Sequence, residues 1–295
     1  MIQYNPKEWF RALFSIHKAD TFRALFPMLI FFILYSWVIV YLETEYFKLA
    51  ETSAARNLTV MHTLLGFAIS MLLVFRTNTA YDRWWEGRRL WGALMNCSVN
   101  LSIKMKSFIP SGRIDDVLFY KEYIPLYSHV LMNHLSHHKM PDEDFFMNED
   151  EFLETVTHKP HYVAQKMIHR ANIMYKEGVL SGDQFIIINE ELKSFSDICG
   201  ACERIKNTPI PFSYSVFIKK FIFIYVGTLP FGFAFSLGLF TIPVTTFIFY
   251  VLASLELIAE EIEDPFGGDN NDLPMLQITT NIKKRVVEIF ERKLV

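Results

Sequence analysis

The sequence predicts an all-α membrane protein, with four transmembrane helices per chain and a cytoplasmic helical bundle. Apolar residues make up 51% of the 295 residues and charged residues 21%, so the chain must divide into strongly apolar and strongly polar blocks. Several stretches reach the roughly 20 uncharged residues that a helix needs to cross a bilayer. The polar block between them has helical periodicity and no strand-like alternation, which completes the all-α prediction.

The transmembrane spans are predicted from runs that lack Asp, Glu, Lys and Arg. The first run places Pro27 in the first turn of its helix, where a missing N–H does no harm. The last run is too long for one span and suits two spans joined by a tight turn. Four spans of this length are too many to bury in a soluble fold of this size. The predicted spans are about 24–42, 57–75, 221–237 and 240–255, with Gly232, Gly238 and Pro243 as break points for the last two.

The distribution of Lys and Arg predicts the orientation of these spans, because cytoplasmic flanks are rich in both residues. Basic residues cluster before the first span, directly after the second and just before the third. The segment between the first two spans has more acids than bases, and the turn between the last two has no charge. We therefore expect both termini, the segment 76–220 and the segment 256–295 to lie in the cytoplasm. Because the helical polar segment is continuous with the spans, we expect a single domain over 1–295.

Charge and cysteine content argue against two classes of protein. The net charge is −3, from 29 basic and 32 acidic side chains, so no global basic field favours a nucleic-acid partner. Three cysteines cannot form a disulfide framework, and the odd number fits a reducing compartment. Cys199 and Cys202 have the CxxC spacing of redox or zinc sites, but no second CxxC is present. We interpret both as small buried hydrophobic residues.

One helix of the polar segment is predicted from a heptad pattern of apolar residues. The spacings between its members are 3, 4, 3, 4 and 3, a pattern that requires a partner helix against that face. Pro209 and Pro211 end this helix, since neither donates a backbone hydrogen bond. Ser111-Gly112 and Ser181-Gly182-Asp183 are predicted helix boundaries. The heptad pattern consists of Phe185, Ile188, Leu192, Phe195, Cys199 and Cys202.

A histidine cluster suggests an alternative function. His134, His137 and His138 have the HxxHH form of membrane di-iron oxygenases, in which imidazoles on one helical face bind a metal. Such enzymes need further His boxes near the spans, and His158 with His161 is the only weak candidate. A membrane-bound metalloenzyme is therefore the alternative hypothesis, and a solvated His-rich helix end is the simpler explanation.

An acidic turn follows directly after the last predicted span. It contains Glu261, Asp264, Asp269 and Asp272, together with a Pro and two Gly that favour a turn. Carboxylate oxygens are the ligands that Ca²⁺ requires, so the turn is a candidate site for Ca²⁺ or another divalent cation. It lacks the alternating ligands of an EF-hand. An exposed acidic turn without a cation fits the composition equally well.

Three apolar residues recur four positions apart in the second predicted span. Phe67, Met71 and Phe75 fall on one face of a helix, drifting by about 40° per step. Gly66 and Ser70 lie beside them and would permit close helix approach. Packing against lipid or against the protein core would explain the same periodicity.

Three motifs of this chain resemble the bestrophin family of ion channels. Arg83-Trp84-Trp85 follows the second span, Asp264-Pro265-Phe266-Gly267 follows the last, and Pro209-Ile210-Pro211-Phe212-Ser213-Tyr214 enters the third. Their order and separation fit, and the resemblance covers nearly the whole chain, with prokaryotic members most similar. It implies a homopentamer around one central pore, with a lipid bilayer and permeating inorganic ions as partners. It also implies no enzymatic activity and no required cofactor.

The resemblance assigns two constrictions to the pore. It implies that Phe67, Met71 and Phe75 form three stacked apolar rings, the pore neck, which gates by dewetting. It places a second, cytosolic aperture at Phe185, with Ile186 as the alternative. The resemblance therefore implies a passive ion channel with a hydrophobic neck.

Selectivity and cation binding also follow from the resemblance. Animal members usually have Phe where this chain has Met71, and a thioether attracts an anion less well than the edge of a Phe ring. Selectivity for anions or for monovalent cations therefore stays open. The carboxylates of Asp269 and Asp272 match those of the family's calcium clasp, which makes a loosely held divalent cation the hypothesis for this turn.

Overall fold

The computed structural model of this chain describes residues 20–46, 53–137, 156–269 and 271–292. Every regular element within those ranges is helical, so the all-α prediction is confirmed. A π-helical turn, Leu42–Tyr46, follows the first helix, and a 3₁₀ turn, Gly238–Phe240, precedes the seventh. The α-helices of the described residues are α1 Asp20–Tyr41, α2 Ser53–Phe108, α3 Ile114–Leu135, α4 Lys159–Lys176, α5 Gly182–Asn207, α6 Phe212–Leu237, α7 Thr241–Glu263 and α8 Met275–Glu291.

These helices form two compact units, with α2 divided between them. The apolar unit lies within residues 2–82 and 209–263 and holds α1, the first part of α2, α6 and α7. The polar unit lies within 83–208 and 264–295 and holds the second part of α2, α3, α4, α5 and α8. A single domain over 1–295 stays a prediction.

The apolar unit is held together by aliphatic and aromatic side chains from all four of its helices. The rings of Phe32 in α1 and Phe249 in α7 have centroids 4.5 Å apart. Tyr35 of α1 donates a 2.9 Å hydrogen bond from its hydroxyl to the carbonyl oxygen of Gly227 in α6, which satisfies its one polar group. The buried members of this core are Leu29, Phe32, Ile69, Leu73, Ile218, Ile222, Val226, Leu229 and Phe249.

Three helical stretches of the described residues are long and apolar enough to cross a membrane, namely Thr21–Tyr46, Val60–Phe108 and Phe212–Glu263. The last is interrupted at Gly238, which separates α6 from α7. Gly238 has a φ of 51°, a conformation that strains residues with a Cβ atom, so it is the break point that the chain uses. All four predicted spans lie in helical segments, and the number of membrane crossings stays a prediction.

The predicted position of Pro27 is wrong. Helix α1 begins at Asp20, so Pro27 lies inside the helix and not in its first turn. The uncharged run starts only after Arg23, so a helix start predicted from that run lies too late in the sequence. Because Pro27 has no N–H, it deprives the carbonyl of Arg23 of its usual helical donor.

The polar unit has its own core, and the predicted heptad pattern lies in it. Ile188, Leu192 and Phe195 of α5 are buried. The ring of Tyr127 in α3 meets that of Phe195 at 4.8 Å, and its hydroxyl donates a 2.6 Å hydrogen bond to the carbonyl oxygen of Phe195. Phe185 is the exception, because it is only half-buried. The predicted partner helix against this face is therefore present.

Helix boundaries in the polar unit match those predicted. The hydroxyl of Ser181 accepts a hydrogen bond from the backbone N–H of Gln184, while the Gln184 side chain accepts one from the N–H of Ser181. This capping box starts α5 after Ser181. Helix α5 ends at Asn207, two residues before the first proline, and Ser111-Gly112 lies between α2 and α3.

Candidate functional site

The stripe of Phe67, Met71 and Phe75 lies on an exposed face of α2. The three side chains are 70%, 42% and 57% exposed. The opposite face of the same helix is buried, with Ile69 and Leu73 in the core of the apolar unit. Among the described residues, nothing therefore covers the stripe fully, and it is available to a pore, to lipid or to another copy of the chain.

Gly66 allows α6 to approach α2 closely. A Cβ atom added at Gly66 would lie 2.7 Å from the hydroxyl oxygen of Tyr225 in α6, well inside contact distance. Ser70 donates a 2.7 Å hydrogen bond from its hydroxyl to the carbonyl oxygen of Gly66. The predicted role of Gly66 in close helix approach is confirmed, with α6 as the partner, and this contact fixes the side of α2 that turns away from the stripe.

A buried ion-pair group lies one residue beyond the stripe. Arg76 is 1% exposed, and its Nη2 atom lies 2.7 Å from Oε2 of Glu263, while its Nε atom lies 3.5 Å from Oε1 of Glu256. Glu263 also accepts a 2.5 Å hydrogen bond from the backbone N–H of Ile210, within the proline motif that enters α6. Sequence reasoning counted Arg76 only as a cytoplasmic charge, and no pattern in the sequence pairs it with the two acids of α7.

Arg83, the first residue of the Arg-Trp-Trp motif, caps the C-terminal end of α5. Its Nη1 atom donates to the carbonyl oxygen of Thr208, and its Nη2 atom donates to that of Ile205, each at 2.6 Å. The last carbonyl groups of a helix lack backbone donors and carry partial negative charge, so a guanidinium is well suited to bind them. The motif thus joins the second part of α2 to α5.

The segment of α2 that begins with the Arg-Trp-Trp motif meets the turn after α7 in the polar unit. Trp84 donates a 3.1 Å hydrogen bond from its indole N–H to the carbonyl oxygen of Asn271. Almost one turn later in α2, a Cβ atom added at Gly87 would lie 3.2 Å from Pro265 and 3.3 Å from Phe266. Only glycine leaves full clearance for that contact. The turn after α7 therefore packs directly on the helix that carries the Arg-Trp-Trp motif.

The carboxylate of Asp272 organises the acidic turn. Asp272 is 2% exposed, and its Oδ2 atom accepts hydrogen bonds from the backbone N–H groups of Gly268 at 2.5 Å and Asp269 at 2.6 Å. Its buried Oδ1 atom has no hydrogen-bond partner among the described residues. Burial raises the pKa of Asp272 to about 6, against the lowering effect of the two N–H donors. One carboxylate oxygen thus holds the turn, and the other remains available to a ligand.

The four candidate cation ligands are only partly brought together. A Cβ atom added at Gly267 would lie 3.0 Å from Oδ2 of Asp264 and 3.2 Å from Oδ2 of Asp272, so those two carboxylates converge on one glycine. Asp269 is exposed, and Glu261 lies in the last turn of α7, in the apolar unit. Among the described residues, none of the four belongs to a group of three donor atoms within 4.8 Å of one another.

The two aperture candidates differ in exposure. Phe185 is half-buried, and its ring stacks on that of Tyr175 with centroids 5.4 Å apart. Ile186 is 64% exposed. The side chain of Phe185 is therefore partly buried by packing within the polar unit, whereas the apolar side chain of Ile186 remains exposed.

The prediction that His134, His137 and His138 share one helical face is wrong. Helix α3 ends before His137, so the HxxHH spacing does not continue on a helix. Nε2 of His134 lies 2.7 Å from Oε1 of Glu203, whereas Nε2 of His137 lies 2.8 Å from Oδ2 of Asp264. His138 lies outside the described residues. The di-iron alternative is therefore not favoured.

The three cysteines are free and buried. Burial raises the pKa of the Cys97 and Cys199 thiols to about 12. The interpretation of Cys199 and Cys202 as small buried residues is confirmed.

Comparison with known proteins supports a channel family. The family model of bacterial and fungal bestrophin proteins matches residues 1–288. The chain is 32% identical over 272 residues, 92% of its length and 86% of the relative's, to the voltage-dependent anion channel-forming protein mll4386 of Mesorhizobium japonicum. It is 30% identical over 291 residues, 96% of its length and 92% of the relative's, to the voltage-dependent anion channel-forming protein YneE of Escherichia coli K12.

A solved structure shares the fold. The crystal structure of a bacterial bestrophin homologue from Klebsiella pneumoniae superposes with a TM-score of 0.79 at 25% identity, covering 90% of this chain and 98% of that one. The family and the curated relatives are channels, not enzymes. With a family match over nearly its full length, the chain belongs to the bacterial and fungal bestrophin family of membrane proteins.

Proposed function

We propose that this chain conducts ions passively through a pore that several copies form together, with anions as the permeant species. The observation that carries the proposal is the exposed stripe of Phe67, Met71 and Phe75, on a helix long enough to cross a membrane. The relatives named as anion channel-forming proteins support the choice of anions. No covalent step is needed, since ions move down their own gradient.

The stripe has the dimensions of a hydrophobic gate. Residues four apart on an α-helix are separated by about 6 Å along the axis, so three such positions cover about 12 Å. Copies of α2 around an axis would stack three apolar rings, the pore neck. A narrow apolar tube holds water poorly and ions worse, so the neck closes by dewetting and opens when it widens.

The proposed assembly is a homopentamer with a second constriction on the cytosolic side. The family resemblance supports the stoichiometry, and the exposure of Ile186, 64%, supports that residue over Phe185 as the aperture. An apolar side chain in that position would narrow the path without binding the ion.

The proposed topology has four membrane crossings per chain in the inner membrane, with both termini cytoplasmic. The clusters of Lys and Arg before α1, after the second span and before the third support this orientation. The division of the last apolar stretch at Gly238 into α6 and α7 supports two crossings there.

Planar-bilayer recording of the purified full-length chain tests the neck. Replacing Phe67, Met71 and Phe75 together with Ala removes the side chains that narrow the pore, so we expect current at fixed voltage to rise several-fold. Leu34→Ala is the matched control, because Leu34 is an apolar residue of α1 that is 59% exposed and lies outside the stripe. A well-folded triple variant with wild-type current would refute the neck.

We also propose that the acidic turn holds a divalent cation loosely. The convergence of Asp264 and Asp272 on Gly267 and the unpartnered Oδ1 atom of Asp272 support a site there. When bound, the cation would supply positive charge between carboxylates that otherwise repel each other. Asp272 would keep the turn closed through Oδ2 and offer Oδ1 to the ion.

A further inference from the structure

A cluster of nitrogen and oxygen donors lies in the polar unit, and it includes none of the residues proposed for the neck, the aperture or the acidic turn. It joins three helices: His134 is in the last turn of α3, His158 is the N-cap of α4, and Glu203 is in α5. Nε2 of His134 lies 2.7 Å from Oε1 of Glu203, and Nε2 of His158 lies 2.8 Å from the same oxygen. One donor atom from each residue lies within 4.8 Å of the other two.

The arrangement of donor atoms in this cluster suits a cation. The backbone N–H of His161 donates to Nδ1 of His158, so in neutral His158 the proton is on Nε2, facing Glu203. Oε1 of Glu203 thus lies between the Nε2 atoms of two imidazoles that come from two other helices.

Two imidazole nitrogens and one carboxylate oxygen form a donor set that Zn²⁺ binds with an open fourth position. Ca²⁺ and Mg²⁺ prefer oxygen ligands alone. His134, His158 and Glu203 are 29%, 32% and 25% exposed, so an ion and its water ligand can reach them from solvent. From these contacts we propose that the chain binds one zinc-class divalent cation through Nε2 of His134, Nε2 of His158 and Oε1 of Glu203, with water completing the coordination.

Binding requires only a small rearrangement. Ligand atoms at about 2.0–2.1 Å from a tetrahedral zinc ion are about 3.3 Å apart, so the two hydrogen-bonded contacts must open by about half an ångström. The proton on each neutral imidazole moves from Nε2 to Nδ1, and none is released. In His158 this displaces the N–H of His161 from Nδ1. The ion would tie the end of α3 and the start of α4 to α5.

Cys199 is excluded from the proposed ligands. Its thiol lies with His158 and His161 in a second group of donor atoms within 4.8 Å of one another. However, Cys199 is fully buried, and its coordination would require the loss of a proton that the imidazoles need not lose. Cobalt substitution tests this exclusion, and a thiolate-to-cobalt charge-transfer band would overturn the ligand set.

Zinc titration of the purified full-length chain in detergent tests the site, with a chromophoric chelator as competitor and metal analysis after desalting. We expect about one tightly held zinc ion per chain. Glu203→Gln and His158→Asn should each weaken that affinity by at least about tenfold. Asn can still cap α4, so His158→Asn separates metal binding from helix stability.

His169→Gln is the matched control, because His169 is an exposed imidazole of α4 outside the cluster and should leave zinc affinity unchanged. Circular dichroism and gel filtration confirm that each variant is folded. A wild-type chain that retains no zinc would overturn the proposal. Equal zinc affinity in wild type, Glu203→Gln and His158→Asn would overturn it as well.

Discussion

The two oxygens of the Asp272 side chain have separate roles, and a charge-neutral substitution can distinguish them. Oδ2 accepts two backbone hydrogen bonds, while Oδ1 has none among the described residues. In an Asp269→Asn, Asp272→Asn double variant, the amide oxygen of residue 272 can still hold the turn, but both negative charges are gone. We expect the stabilisation by Ca²⁺, measured as the shift in thermal unfolding temperature with CaCl₂, to disappear.

Glu190→Gln is the control for this prediction, because Glu190 is an exposed acid of α5 outside the turn. It should keep the full calcium shift. If the double variant also keeps the full shift, the divalent cation does not bind through these two carboxylates.

Single side chains were predicted from the sequence where their local pattern was sufficient. The heptad pattern identified buried Cys199 and Cys202. The four-residue spacing placed Phe67, Met71 and Phe75 on one helical face, but it did not tell whether that face is exposed or buried. The pairing of Arg76 with Glu256 and Glu263 was missed, because it depends on how α2 packs against α7, and residues so far apart in sequence leave no periodic signal. The box of three histidines failed because a helix ended earlier than its spacing assumed.

Helix α2 contains two glycines whose surroundings predict opposite effects of substitution by alanine. At Gly87 a Cβ atom would lie 3.2 Å from Pro265 and 3.3 Å from Phe266. Phe266 is buried in a tight turn, so the added methyl group must push this turn and α2 apart. We expect Gly87→Ala to lower the free energy of unfolding by about 1–3 kcal/mol. Denaturant unfolding followed by circular dichroism measures the change.

Gly92 provides the comparison within the same helix. Its nearest neighbour would be the flexible Arg88 side chain at 3.5 Å, an ordinary contact distance. Because alanine is the better helix former, Gly92→Ala should raise the free energy of unfolding by about 0.5–1 kcal/mol. Shifts of the same sign in both variants would contradict the close packing at Gly87.

Helices were predictable where the hydrophobic pattern was strong or where Ser, Gly or Pro marked a helix boundary. Ser181-Gly182-Asp183 predicted the start of α5, and Pro209 predicted its end. Gly238 was one of three predicted break points for the last two spans. The extent of α2 was not predictable, since it runs for 56 residues through a segment where the sequence changes from apolar to charged. Arg83 acts through its contact with the end of α5 and Gly87 through its contact with the turn after α7, and helix propensity reports neither contact.

The assembled channel should select anions, and the reversal potential in asymmetric NaCl measures this. A value near the chloride equilibrium potential is expected, because relatives are named as anion channel-forming proteins and Phe67 and Phe75 offer electropositive ring edges. Met71→Phe should move the reversal potential further towards that of chloride, since it adds a third ring of such edges.

A reversal potential near the sodium value, from a sample that is pentameric by mass, would make the pore selective for cations and would contradict the proposal. The control is Leu34→Phe, which adds a Phe on α1 outside the stripe and should leave the reversal potential unchanged.

The buried thiols have a practical consequence for mapping the conduction path. Cys97, Cys199 and Cys202 are the only cysteines of the chain, and all three are buried, with burial raising each pKa. Water-soluble alkylating reagents react with exposed thiolates, so we expect the three native cysteines to be labelled very little. A single cysteine introduced at successive positions of α2 would then report its own accessibility, with no native cysteine to remove first.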